Sequence, residues 1–361
     1  MQIKQNKRIL PYRRNWDNPL NTVLFLSLFI IALILAACAT NTANLPASDK
    51  SSSGEYVWPA PPQTPRIKWA GQWSNKYDFG KANEVMEFLV GKERVEALRR
   101  PNGVVSDTAG NIYVADSEFR MIFVFDVEKK SLRFIGLGTL SGPIGTAMDN
   151  KQGILYVSDS RVDKVFGFQK DTGELILTLG GPGEFKNPSG LAFDEQRERL
   201  YVADAQNHMI KVFDRNGRPL FSIGKRGNTD GEFNYPSYIA LDKAGRLFVV
   251  DSFNFRIQIF DADGKFIKKF GQLGDASGSF SRPHGIGIDS EGHIYVVDAS
   301  FNNFQIFDED GKLLLWVGTT GNKPGEFYLP SGLYVDDKDK IYVSDTFNRR
   351  VQVFQYLKEK M

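Results

Sequence analysis

Six times the chain spells an aromatic residue, Val, a variable residue and Asp, in tetrads ending at Asp116, Asp159, Asp204, Asp251, Asp298 and Asp345. The successive spacings are 43, 45, 47, 47 and 47 residues. A period of that size means one small supersecondary unit copied in tandem, each copy burying its apolar face only against its neighbours. That constraint decides the fold class before any catalytic motif is sought.

Aligned on the tetrads, the units begin at Pro101, Pro143, Pro188, Pro236, Pro283 and Pro330. Five of the six carry Gly two residues later, and the exception is Tyr238. A short apolar run ending in Asp comes next, as in Gly190 to Asp194 or Gly285 to Asp289, and then a polar turn and the tetrad. A second turn (Ser252, Phe253, Asn254), an alternating run (Arg256 to Phe260), an Asp-Gly turn and a final run closing on Gly271 complete the unit. Four short strands per unit with turn residues between them describe an antiparallel meander. Radial packing of such sheets gives an all-β, six-bladed β-propeller with four-stranded antiparallel blades.

The pattern from Pro-x-Gly through Gly-x-(Ile/Leu)-Tyr-Val-x-Asp-x-x-Asn to (Val/Ile)-Phe-Asp-x-x-Gly resembles the NHL repeat, most closely in the unit holding Asn207, His208 and Met209. The resemblance runs from Arg66 to Leu357. Asn three residues after the tetrad Asp is present at Asn207, Asn254 and Asn348 but replaced by Phe119, Val162 and Phe301. Those three units need another way to satisfy the turn. The whole chain is similar to bacterial six-bladed NHL-repeat lipoproteins, a family marked by architecture more than by one activity.

Five units end in a fourth run closing on Gly136, Gly180, Gly224, Gly271 or Gly318, whereas the last stops near Tyr356 without one. The missing run stands at the front, where Trp69-Ala70-Gly71 parallels Trp316-Val317-Gly318. A strand starting at Arg66 is therefore expected to complete the last blade and seal the ring, giving a propeller over 66–357 and a short tail over 358–361. Between that strand and the first unit, Val85, Phe88 and Leu89 at helical spacing predict a short helical insertion over about 81–98.

The N-terminus carries a different signal. Lys4, Lys7, Arg8, Arg13 and Arg14 precede an apolar run from Val23 to Leu35 that ends in Leu35-Ala36-Ala37-Cys38. Its thirteen residues, all apolar but Ser27, fall short of the ~20 that span a bilayer, so residues 1–37 read as a secretory signal peptide. The Leu-Ala-Ala-Cys string resembles the bacterial lipobox, which implies lipidation of Cys38. By the same resemblance, Ala39 after the cysteine favours the outer membrane of a Gram-negative cell. Cys38 is the chain's one cysteine, so no internal disulfide can form. The Ser, Thr, Asn and Pro-rich stretch up to Pro65 reads as a disordered tether over 38–65, reaching at most ~90 Å from the lipid. The segment up to Asn21 holds five of the 45 Lys and Arg and one of the 43 Asp and Glu, so the rest of the chain carries a net charge of −2. That balance points away from nucleic acid. The expected partners are the membrane, through the lipid, and another envelope protein, with the propeller itself monomeric.

Antiparallel pairing returns the tetrad Asp to the face where the first strand starts at Pro-x-Gly, and the long linkers 224–235, 271–282 and 318–329 end there too. The opposite face holds tight turns. Longer loops on a rigid scaffold carry function disproportionately, so the linker face is the candidate binding face. The residues between Pro and Gly are expected to ring the central opening: Asn102, Ile144, Ser189, Ser237, His284 and Ser331. The resemblance to NHL-like amidating lyases, which hold zinc through three histidines, extends to His284 alone. His208 falls in an outer turn and His293 on the opposite face, and a catalytic zinc wants three converging protein ligands. Lactonase-type propellers gather carboxylates and Asn around calcium, and this ring has one Asn and no carboxylate. No metal, cofactor or catalytic residue is therefore expected, and the six tetrad aspartates read as acceptors for backbone N–H groups in their turns. Decoration outside the repeat remains: Arg120, Arg161, Arg256, Arg282, Arg349 and Arg350 near Tyr235, Tyr238, Tyr328, Phe253, Phe255, Phe301 and Phe347. Arg and aromatic residues dominate protein interfaces, so the sequence points to a non-catalytic binding or scaffolding propeller. A metal-dependent lyase or lactonase-like enzyme and a propeller sensing a small molecule in its central opening are the alternatives.

Overall fold

The computed structural model describes residues 55–79 and 97–358. The signal segment, Cys38 and most of the helix expected over 81–98 lie outside the described residues. Six antiparallel sheets follow one another along the chain. The first blade comprises Pro101–Ser106, Ile112–Asp116, Met121–Asp126 and Ser131–Ile135. The next four repeat that meander, each with its first strand at one edge of the sheet and its fourth at the other. Adjacent first strands contact one another around the ring, so the Pro-x-Gly strands are the innermost.

The last blade is assembled from both ends of the described chain. Its strands Leu333–Val335, Lys340–Asp345 and Arg350–Tyr356 are joined by Ile67–Trp73, which pairs antiparallel with Arg350–Tyr356 from Ile67 opposite Tyr356 to Trp73 opposite Val351. The ring is thus sealed as the Trp69-Ala70-Gly71 parallel implies. A fifth strand, Val57–Trp58, adds outside Ile67–Trp73, with Trp58 opposite Ile67. This corrects the tether boundary: ordered structure reaches back to Glu55, ten residues before Pro65. Trp58 is the physical reason. Only 1% exposed, it packs edge-on against Phe354 at 5.8 Å and lies so close to Gly325 that any side chain there would meet its ring.

The core consists of six separate apolar clusters, one at each boundary between blades. Val105, Tyr113 and Val124 of the first blade pack with Leu155, Val157 and Phe168 of the second, and Val114 and Phe125 pack with Tyr342 and Val353 at the closing boundary. Phe185, Phe233, Phe280 and Phe327, from the Gly-(Glu/Ser)-Phe segments of the linkers, are all buried within these clusters. Near the axis the blades approach backbone to backbone at five glycines. At Gly103, Gly145, Gly190, Gly285 and Gly332 a Cβ would lie 2.1–2.6 Å from the next blade's main chain, which is why these positions carry no side chain.

Candidate functional site

The linker face is built on the tetrad aspartates. Strand pairing sets Pro101 opposite Asp116, Pro143 opposite Asp159, Pro188 opposite Asp204, Pro236 opposite Asp251 and Pro283 opposite Asp298, so each carboxylate sits where a linker enters its blade. All six are fully buried. Each staples the incoming linker to its own turn. Asp116 accepts from Arg99 N (2.6 Å) and Arg100 N (3.0 Å) on the linker and from Glu118 N and Phe119 N (3.0 Å each) in the turn.

The units with and without Asn solve the turn in two ways. Where Asn is present, its Nδ2 donates to the Asp at 2.8 Å in the third and fourth blades, and a short 3-10 turn forms at Ala205–Asn207 or Ser252–Asn254. Where Phe119, Val162 or Phe301 replaces it, backbone N–H groups of the turn donate directly, from Phe119 N, Arg161 N and Phe301 N. The carboxylate is satisfied in either case.

Of the ring residues, the serines are taken up by the fold. Ser189 Oγ donates to Ser237 O in the next blade at 2.7 Å. Ser237 Oγ pairs with Ser252 Oγ at 2.6 Å, and Ser331 Oγ donates across the closing boundary to Pro101 O at 3.3 Å, supported by Thr346 Oγ1 on the same carbonyl at 2.8 Å. Asn102 Nδ2 donates to Arg100 O and Ser117 Oγ. His284 differs from all of them. Its Nδ1 is buried without a partner, and burial, aided by the charge of Arg282, pushes the imidazole down to about 4. Tyr238, standing where the other blades have Gly, lies 6.0 Å from the His284 ring and interacts with Ser331 two blades away.

The outer decoration divides. Tyr235 stacks on Phe253 at 4.9 Å with Phe253 59% exposed, and Tyr328 packs edge-on against Phe347 at 5.4 Å with both about half exposed. Arg120, Arg161, Arg282 and Arg349 are exposed, and Phe301 is partly buried. Arg256 does not belong with them. It is 6% exposed, and its guanidinium is held by Asp251 (2.8 Å) and the carbonyls of Asn228 (2.9 Å), Thr229 (2.8 Å) and Glu232 (2.9 Å). Arg350 repeats the arrangement in the last blade with Asp345, Asn322, Lys323 and Glu326. These two cations lock linkers to blades and offer nothing to a partner. The signal that separates them from the surface arginines was in the sequence: Asp, then Arg five residues on and Gln seven on, at Asp251-Arg256-Gln258 and again at Asp345-Arg350-Gln352.

The opposite face holds what the loop-length argument passed over. A cavity of about 430 Å³ opens there, walled by the later residues of the inner strands and rimmed by the tight turns beyond them, among them Asn150, Lys151, Glu195, Lys243 and Asp337. Its floor lies at the level of Gly103, Gly145 and Tyr238.

The histidines do not converge. His208 Nδ1 accepts from Tyr235 N at 3.0 Å in an outer turn, and His293 pairs with Asp289 at 2.8 Å in a turn of the opposite face. Among the described residues no three His, Cys, Asp or Glu side chains are grouped to hold a metal ion.

Comparison with known proteins agrees with this architecture. A family model described as a 6-bladed beta-propeller matches residues 243–304 and 290–359. No curated protein sequence matches the chain significantly. Among solved structures, an auxiliary nutrient binding protein from Bacteroides thetaiotaomicron VPI-5482 aligns with a TM-score of 0.58 at 15% identity, over 73% of this chain and 70% of that one. A streptogramin B lyase aligns with a TM-score of 0.55 at 13% identity, over 72% and 94% of the two chains. A chain of a nidogen/laminin complex aligns with a TM-score of 0.53 at 19% identity, over 66% and 88%. Likeness at this level establishes the fold that the three share with this chain and carries no chemistry across.

Proposed function

We propose that the chain is a lipid-anchored envelope protein whose propeller is a non-catalytic scaffold, binding another envelope protein through its linker face. The observation that carries this reading is the pair of exposed aromatic contacts on that face, Tyr235 with Phe253 and Tyr328 with Phe347, flanked by exposed Arg282 and Arg349. Aromatic side chains lose little conformational freedom on docking, and aromatic and Arg residues are enriched among interface hot spots. The polar groups beneath them support the same reading. Tetrad carboxylates and ring serines are already committed to hydrogen bonds within the fold, and of the ring residues His284 alone keeps a buried side-chain polar atom without a partner. Anchoring rests on the signal segment and Cys38, where two or more acyl chains would give stable attachment to the outer membrane of a Gram-negative cell.

In-cell crosslinking of the full-length protein, followed by detergent extraction, tests both parts. A single dominant partner is expected, and Phe253→Ala with Phe347→Ala should lower its capture about tenfold at unchanged melting temperature. Cys38→Ser should move the protein from the membrane to the soluble fraction. Undiminished capture by the aromatic double variant would refute the docking face, and membrane retention of Cys38→Ser would refute the anchor.

A further inference from the structure

One position of the repeat adopts the same left-handed backbone in every blade. Four residues after the tetrad Asp, Arg120, Asp163, His208, Phe255, Asn302 and Arg349 all have φ between 53° and 59°. Three of the six carry a side chain that accepts a hydrogen bond. Asp163 Oδ1 accepts from Asn187 N at 2.7 Å, His208 Nδ1 from Tyr235 N at 3.0 Å and Asn302 Oδ1 from Leu329 N at 2.7 Å. Each donor is the residue just before the next blade's Pro, so each bond staples one blade's turn to the linker entering the next.

The staple governs the donor's backbone. Asn187, Tyr235 and Leu329 have φ of 60°, 62° and 47°, whereas Arg100, Gly142 and Arg282, whose preceding turns offer Arg349, Arg120 and Phe255, lie outside the positive region. Left-handed backbone is disfavoured for a residue with a Cβ, and at these six junctions it occurs only where the turn supplies an acceptor. The bond therefore holds a conformation that the chain would otherwise leave. At Tyr235 it also holds a side chain in place. That ring stacks on Phe253 at 4.9 Å with the planes 18° apart, and its hydroxyl accepts from Asn187 Nδ2 at 2.9 Å.

The three acceptors differ in one chemical respect. Carboxylate and carboxamide oxygens accept throughout the neutral and mildly acidic range, but an imidazole nitrogen accepts only while the ring is neutral. Once protonated, Nδ1 of His208 turns an N–H toward the Tyr235 N–H, and two donors face each other. The charged groups facing the ring are Arg226 on the linker and Asp251 of the fourth blade, while Asp204 of its own turn is paired with Lys211 at 3.1 Å. Burial holds the imidazole below its ordinary value of 6.5, Arg226 adds to that effect and Asp251 opposes it. We propose that His208 is a pH latch on the linker face: neutral, it keeps Tyr235 stacked on Phe253 for docking, and protonated, it lets that aromatic pair come apart. The latch regulates the docking face described above and rests on that reading for its consequence.

Amide hydrogen exchange on the full chain in detergent, at pH 7.5 and pH 5.0, reads the latch without any partner. After correction for the intrinsic exchange rate, protection of the Tyr235 amide should fall about tenfold at the lower pH, while that of Leu329, held by Asn302, should hold within about twofold. His208→Asn, which installs the acceptor already used at Asn302, should keep Tyr235 protected at both pH values. His208→Leu should leave it unprotected at both. Equal protection of Tyr235 at the two pH values, an equal fall at Leu329, a fall in His208→Asn as large as in wild type, or full protection in His208→Leu would each overturn the latch. In-cell crosslinking at the same two pH values reads its consequence. Wild-type capture should fall about fivefold at pH 5.0 and capture by His208→Asn should hold; equal wild-type capture at both would refute control of docking. Undiminished capture by the Phe253→Ala, Phe347→Ala double variant refutes the docking face itself, an outcome that the exchange measurement does not share.

Discussion

Replacing Arg256 tests whether the linker face is fastened from inside. The guanidinium donates through Nε to Asp251 at 2.8 Å and through its two amino groups to the carbonyls of Asn228, Thr229 and Glu232. The Arg256 side chain is 8% exposed and that of Asp251 is 0% exposed. Removing one member of such a pair leaves a buried charge with incomplete compensation, which costs about 3–5 kcal/mol. Arg256→Met and Asp251→Ala should each destabilise by that amount, or roughly 6–15 °C in Tm for a domain of this size. The double variant should fall short of additivity by about 2 kcal/mol, since neither charge then remains to be stranded. Asp116 is the internal control. It accepts only backbone N–H groups, with no guanidinium among its donors. Asp116→Ala should therefore cost less, about 1–3 kcal/mol. Thermal unfolding of the four variants, followed by circular dichroism, reads the cycle. An Arg256→Met variant within about 0.5 kcal/mol of wild type, or strict additivity in the cycle, would show that the guanidinium is not part of the fastening.

Two further outcomes rest on single side chains. His284 is pushed down to about 4 in the folded protein against an ordinary value near 6.5, so below about pH 6.5 the unfolded chain takes up a proton that the folded one refuses. Stability is therefore lost as pH falls from about 6.5 to 4, by about 2–3 kcal/mol from this residue, and His284→Gln should flatten the Tm profile over that window. An unchanged profile would mean that the imidazole is not held neutral, and because His293 is shifted upward by Asp289 and is untouched by the substitution, the difference between the two profiles isolates His284. Trp58→Ala empties a fully buried site against Phe354 and Gly325 and should cost about 3–5 kcal/mol; a loss below about 1 kcal/mol would place Val57–Trp58 with the tether after all.

The tandem period made the ring legible because each copy of the unit repeats the same strand and turn chemistry, and six noisy copies average to one clear pattern. Ring closure was legible for the same reason, since Trp69-Ala70-Gly71 copies the end of a neighbouring unit. Val57 and Trp58 copy nothing. Their neighbours are Ser, Pro and Gly, and composition averaged over that stretch hid an aromatic residue whose burial depends on a contact with Phe354 almost three hundred positions away. Arg256 misled by residue type: an arginine after an exposed turn reads as surface, and only its shared spacing with Asp251 and Gln258 marks it as interior.

The two faces differ in how they could be read at all. Loop length and aromatic content are local properties, so the linker face stood out from the sequence. The cavity arises from the convergence of six inner strands, each ordinary by itself, and tight turns at its rim argued against it. At the third position after Pro, five units carry an aliphatic residue and the second carries Thr146. A repeat protein is free to vary wherever its copies need not match, and a polar atom appearing once in an otherwise apolar ring, buried and unpaired, is a departure that packing alone would remove. The same reasoning separates Thr146 from Tyr238, the other departure near the axis. Tyr238 finds neighbours within the fold in His284 and Ser331, whereas the Thr146 hydroxyl, with almost no accessible surface, finds no partner among the described residues.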